Sequence, residues 1–334
     1  RNVEVVELVD WLRAHNDVAR SHGPKVGFYG LDLYSLHASI AAVLSFLERV
    51  DRRAFIAARD RYGSFERFGS DVQTYAVLNG TGAARSCERE VTTQLADVER
   101  LALDYARRGD VDAEELFSAE QNARLVKNAE AYHRALFAED ALAWNIRDQH
   151  MAETLEAIAS HLERQGVPPR IVVWAHNSHV GDARATQMGR RGETNLGQLV
   201  RERHGDAAFL VGFTTHHGTV TAASEWDGLA ERKRCRPALR GSYELTFHEV
   251  DAPMFFLPLR GGAAREALLE WELERAIGVI YRPESERASH YFRARLPEQF
   301  DAIVHIDETR AIEPLERTSV WDAGELPETY PFAL

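Results

Sequence analysis

From about residue 36 to residue 165 the apolar positions recur at helical spacing almost without a break. Leu125, Ala129, Tyr132 and Leu136 repeat at i, i+4, i+7 and i+11, and Met151, Leu155, Ile158 and Leu162 do the same. An earlier stretch, 3–20, carries Val5, Leu8 and Leu12 on one helical face. Asp51 and Asp112 are predicted caps, and Gly166 followed by Pro168 and Pro169 ends the last long helix. After Pro169 the period changes. "RIVVWA" (170–175), "AAFLVGF" (207–213), "AIGVIY" (276–281) and "DAIVHI" (301–306) are short runs rich in Val and Ile, and "KVGFYGLDLYS" (25–35) resembles them. Such runs predict strands buried on both faces. The implied class is α/β in one domain over 1–334. A mixed, mostly parallel sheet is flanked by helices. The helical insertion covers about 36–166 and the sheet-rich part about 167–315. There is no internal repeat, and the tail 321–334 is predicted to be extended or poorly ordered.

Composition narrows the function classes. The chain has 334 residues, with 52 Asp and Glu against 40 Lys and Arg, a formal net charge of −12. An acidic surface repels phosphate backbones, so nucleic acid is not an expected partner. The basic run 231–241 has no aromatic residue interleaved and reads as a solvated loop. No apolar run reaches membrane-spanning length, so no membrane partner is expected either. Two cysteines, Cys87 and Cys235, make no disulfide framework, which points to a reducing, cytoplasmic setting. The first residue is Arg1 and the chain begins almost inside a helix, so its natural N-terminus is expected upstream.

The chemistry concentrates in "VVWAHNSHVGDA" (172–183). Polar residues directly after a buried strand lie at its C-terminal end, where α/β proteins bind ligands. His176 and His179 can take and give protons near neutral pH, and either the second histidine or Asn177 can steady developing negative charge. The alternative is that they cap the strand end. HxxH with Asp182 can also be read as a metal site, but the helical HExxH arrangement is absent. No metal or cofactor is therefore assigned. In "WNIRDQHMAETL" (144–155), Asp148 falls on the apolar stripe of Trp144 and Met151, with Arg147 at its edge. These two are read either as a buried ion pair to a neighbouring helix or as a pocket wall. Asp32, with Tyr34, follows the first strand run and is read as a turn cap or as part of the same wall. Arg282, Glu284, Glu286 and His290 form a charged segment whose default reading is an internally paired, solvated loop. His216 and His217 are neighbours; in a strand they would face opposite ways, so at most one could join a shared site. No GxSxG, GxGxxG or P-loop occurs, and nothing marks Ser178 as an activated nucleophile.

Several blocks together resemble the erythromycin esterase family, in the family's order and over nearly the whole chain. They are "FYGLDLYS", "QNARLVKNAEAYHRALF", "WNIRDQHMAETL", "VVWAHNSHVGDARATQMG", "NLGQLVRERHG", "GTVTAASEWD", "RAIGVIYRPESERASHYF" and "FDAIVHIDETRAI". The resemblance implies a hydrolase scaffold with a mixed α/β sheet and a large helical part. Characterised members open the macrolactone ring of erythromycin-type antibiotics with water. Their proposed mechanism uses a histidine base surrounded by acidic residues and the HN-x-H histidines, which His176, Asn177 and His179 match. In the family a preceding glutamate–histidine segment supplies the main proposed base. This chain begins after it, so a truncated member is expected, with a fused or associated domain upstream as a further expectation. Members also include proteins labelled with succinoglycan biosynthesis, so hydrolase is a firmer inference than macrolide. The leading expectation is hydrolysis of a small-molecule ester or lactone, with His176 and His179 catalytic and Asn177, Asp32, Arg147 and Asp148 contacting substrate. The rivals are a metal-dependent hydrolase at His176 and His179, and a non-catalytic binding module.

Overall fold

The computed structural model describes residues 2–19, 25–66, 72–80, 85–109, 111–136, 140–226 and 228–324. Most of the predicted tail lies outside them. The chain divides into two compact units. A helical unit comprises Tyr29–Val172 and Arg191–Leu199, and a sheet unit comprises Arg1–Phe28, Val173–Arg190 and Val200–Leu334. The chain begins with α1 (Val3–Ala19) of the sheet unit, a helix with no buried residue.

The predicted insertion is a set of six helices: α2 (Leu36–Val50), α3 (Arg52–Glu66), α4 (Val72–Gly80), α5 (Glu88–Arg108), α6 (Ala113–Ala135) and α7 (Asp140–Arg164). Their breaks follow the capping chemistry. The Asp51 carboxylate accepts the N–H groups of Arg53 and Ala54 at the head of α3, and Asp112 accepts those of Glu114 and Glu115 at the head of α6. Past α7, Gly166 adopts a left-handed φ of 75°, and the Val167 N–H returns to the Leu162 carbonyl. The core includes Leu47, Val43, Tyr62, Tyr75, Val126 and Ala129. Met151, Leu155 and Ile158 of the second predicted stripe are buried, whereas Leu136 of the first is exposed.

Two histidines buried in this unit set an acid limit on stability. Burial, with His37 adding like charge, lowers His133 to about 4. Burial also lowers His150 to about 4, against opposing pulls from Glu153 and Asp32. Unfolding restores both to about 6.5. A depressed folded pKa makes stability complete above 6.5 and drains it as pH falls towards 4. At pH 5 the expected loss is about 2 kcal/mol per histidine. Urea unfolding at pH 7.5 and pH 5 checks this: equal midpoints would contradict it, as would a loss that persists in the His133→Gln, His150→Gln double variant.

The sheet unit is mixed α/β. Two short helices precede its strands, α8 (Asn177–Val180) and α9 (Leu196–His204, whose first residues belong to the helical unit). The strands are β1 (Val211–Thr214), β2 (His217–Ala222), β3 (Glu231–Cys235), β4 (Met254–Pro258), β5 (Glu272–Arg275), β6 (Tyr291–Ala294), β7 (Ala302–Ile306) and β8 (Glu308–Thr309), with α10 (Tyr243–His248) between β3 and β4. β7 is central to one sheet, parallel to β1 and antiparallel to β4. β2 pairs antiparallel with β3 and parallel with β8, and β5 pairs antiparallel with β6. The core here is Leu210, Tyr243, Phe247, Leu259, Leu296, Phe300 and Ile303.

The sheet is thus less parallel than the apolar runs predicted. Runs 207–213 and 301–306 supply the paired strands β1 and β7. Runs 25–35 and 170–175 join no ladder among the described residues, and 276–281 contributes only an isolated bridge, Ala223 with Ile280. Val172 is 95% exposed and Trp174 76%. Residue type sets the propensity for a strand, but the strand itself is defined by hydrogen bonds to a neighbour. Among the described residues no helix is long and apolar enough to cross a membrane. Cys87 and Cys235 are buried and form no disulfide.

Candidate active site

The apolar run 171–175 ends at His176, which caps α8. Its Nδ1 accepts the backbone N–H of Ser178 at 3.2 Å and lies 2.9 Å from Ser178 Oγ. Its Nε2 lies 3.0 Å from the Ile277 carbonyl. A ring nitrogen facing a carbonyl must carry the proton, and one accepting an N–H must not. His176 is therefore the neutral Nε2–H tautomer. Burial lowers its pKa, partly opposed by the Ile277 carbonyl, with His179 adding like charge.

Asn177 ties this turn to the sheet. Its amide donates to the Phe213 carbonyl at 2.8 Å and accepts the Phe213 N–H at 3.0 Å, pairing with β1 as a neighbouring strand would. His179 is buried one turn on, its backbone N–H bonded to the His176 carbonyl. Gly181 follows where a Cβ would lie 2.7 Å from Gln299 and 2.8 Å from Phe300, so only glycine fits without displacement. Asp182 is held by Arg184 at 2.6 Å and Arg201 at 3.2 Å. Both His176 nitrogens and the Asp182 carboxylate have protein partners, so the metal reading of this HxxH is not favoured.

Beneath the turn lies Glu274 of β5, fully buried. Burial pushes its carboxyl well above the ordinary range, and Glu244 adds to the rise against hydrogen bonds from Gln299 and Asn177. Glu244 is raised as well, chiefly by burial. Burial thus favours the neutral carboxyl of Glu274, the form that can donate a hydrogen bond. The sequence did not mark it. In "ELER" the alternation suggests a solvated face, but Leu273, Glu274 and Arg275 are all buried.

The charged segment after residue 281 is structural and better buried than expected. Glu286 pairs with Arg275 at 3.2 Å and accepts the Tyr281 hydroxyl at 2.9 Å. His290 Nε2 accepts the Arg282 N–H, and Arg282 Nε donates to the Ser224 carbonyl.

The other predicted residues belong to the helical unit. Arg147 grips Asp32 with two parallel bonds, Nε to Oδ1 at 2.9 Å and Nη2 to Oδ2 at 2.6 Å, and its guanidinium lies 4.7 Å from the centre of the Tyr34 ring. Asp32 Oδ1 also accepts the Leu33 N–H. Asp148 is fully buried, and its Oδ1 accepts the Leu196 N–H at 2.8 Å, capping the first residue of α9. Asp32 and Arg147 thus form an ion pair, and Asp148 stabilises a helix start. His176, Asn177 and His179 are gathered on one turn of the sheet unit.

The helical array, the mixed sheets and the histidine turn beside β1 define a two-unit α/β protein. The erythromycin esterase family model matches residues 1–309, and the chain belongs to that family. Solved structures share the fold. A succinoglycan biosynthesis protein is 23% identical with a TM-score of 0.71, the match covering 94% of this chain and 72% of the other. A Bacillus cereus protein is 18% identical with a TM-score of 0.73, covering 95% and 74%. The erythromycin esterase EreC, a histidine-to-asparagine mutant in its open conformation, is 16% identical with a TM-score of 0.61, covering 93% and 75%.

Proposed function

We propose that the protein hydrolyses an ester or lactone by activating water, with no covalent serine intermediate. The observation that carries this reading is His176, a neutral imidazole whose unprotonated Nδ1 faces the Ser178 hydroxyl at 2.9 Å. A water bound at Ser178 Oγ can pass its proton through that hydroxyl to Nδ1 as it attacks the carbonyl carbon, while Nε2–H stays on the Ile277 carbonyl. The resulting imidazolium returns the proton to the leaving oxygen. His179 is assigned to steadying the tetrahedral oxyanion. Asn177 holds the turn against β1. Within the helical unit, the Asp32–Arg147 ion pair and the Asp148 cap of α9 are assigned to holding that unit's own structure.

The test is mass spectrometry of macrolactones, simple lactones and acyl esters after incubation with the protein. The expected product is heavier by one water for a lactone, or is the acid and alcohol for an ester. A broad panel with no turnover overturns the proposal. The acid limb of kcat/KM is expected below 6.5, because the base must be neutral and burial favours that form.

A further inference from the structure

A second cluster of histidines surrounds Asp307 in the sheet unit, separate in sequence from the histidine turn. One imidazole nitrogen from each of His216 and His248 and one Asp307 oxygen lie within 4.8 Å of one another. They come from three segments: the loop after β1, the last residue of α10 and the residue after β7. β1 and β7 are parallel, so two of the three stand just beyond the C-terminal ends of neighbouring strands, a usual ligand position in α/β sheets. His216 and His217 were expected to face opposite ways, but a bend before β2 brings their Nδ1 atoms to 3.0 Å.

The geometry points to a divalent transition-metal site with His216, His248 and Asp307 as ligands. Two imidazoles and a carboxylate are the donor set of Zn²⁺, Ni²⁺ or Co²⁺, not of Mg²⁺ or Ca²⁺, which take oxygen. Three protein ligands leave a fourth position for water.

The surroundings hold His216 and Asp307 in place. The Asp307 carbonyl accepts the N–H groups of both His216 and His217, at 3.1 and 3.0 Å. Arg275 Nη2 holds the His216 carbonyl at 2.8 Å. Behind the carboxylate stands His305, wholly buried, with Nδ1 3.0 Å from Thr214 Oγ1 and Nε2 3.4 Å from Asp307 Oδ1. Carboxylates that ligate a metal are themselves hydrogen-bonded from behind, and His305 stands in that position. The entrance is open, since the His248 side chain is 41% exposed and already lies 2.7 Å from Asp307. The His216 and His248 rings stack with centroids 3.7 Å apart and planes at 4°. A shared ion must lie near both ring planes, so His248, the exposed ring, is the one that turns to bind.

The proposal is tested by titrating the chelator-treated 334-residue chain with ZnCl₂ in a calorimeter and with CoCl₂ in a visible spectrometer. One equivalent should bind, Co²⁺ should give a ligand-field band, and excess Mg²⁺ should not compete. His248→Ala, an exposed change that spares the fold, and Asp307→Asn should each weaken Zn²⁺ binding at least tenfold, while His15→Ala on α1 should not. No stoichiometric binding overturns the site. So does an affinity unchanged in His248→Ala, which would place the metal elsewhere. Neither readout depends on hydrolysis.

Discussion

Replacing Arg275 with alanine is expected to destabilise the protein by about 3–5 kcal/mol, the range for leaving a buried charge without its partner. The Arg275 and Glu286 side chains are 2% and 3% exposed. One guanidinium nitrogen bonds Glu286 and the Arg236 carbonyl at 2.7 Å, and the other bonds the carbonyls of Thr215 at 2.5 Å and His216 at 2.8 Å. The alanine variant would leave one buried carboxylate and three carbonyls without this donor, and the Tyr281 hydroxyl on Glu286 cannot replace a charge. Adding Glu286→Gln to Arg275→Ala should therefore recover part of the loss, because an amide needs no counter-charge. Urea unfolding of the two variants measures both effects. A loss below about 1 kcal/mol, the range of an exposed pair, would contradict the buried network.

His176→Asn is expected to lower kcat/KM on the order of 10²–10⁴-fold, the usual contribution of a positioned base. Asparagine is the informative replacement because it caps a helix as readily as the histidine does here. The turn should survive, and only the proton acceptor is removed. If His176 merely caps α8, His176→Asn would retain near-normal activity and Ser178→Ala would be silent. On the relay reading, Ser178→Ala also slows hydrolysis, and the variant loses the acid limb assigned to His176. Circular dichroism of His176→Asn separates a lost base from a lost fold.

The two sites differ in how far they could be read from sequence. His176, Asn177 and His179 are neighbours in the chain, so their proximity needed no fold. What remained open was which nitrogen of His176 is protonated, because that depends on Ile277, one hundred and one residues away. Asp148 was read on the inward face of α7 with Arg147 at its edge, but their partners, the Leu196 N–H and Asp32, come from distant segments. Glu274 and the Asp307 cluster were not anticipated. In both, the defining fact is burial or convergence of residues that are locally indistinguishable from a solvated strand.

Local rules were sufficient for the helices. Their period, the Asp51 and Asp112 caps and the glycine stop act within a few residues, so the sequence by itself determined the helical stretch, its breaks at Asp51 and Asp112, its end at Gly166 and the polar turn after residue 175. Tertiary structure alone decided which apolar runs became strands. Run 301–306 found partners on both sides in β1 and β4, whereas 170–175, equally rich in Val and Ile, joined no ladder among the described residues. A helix closes its hydrogen bonds within itself, but a strand closes them only on another strand. The same limit applies to the charged groups, because the lowered pKa of His176, the raised pKa of Glu274 and the Arg275–Glu286 pair are set by burial, which depends on the packed neighbours rather than on residue type.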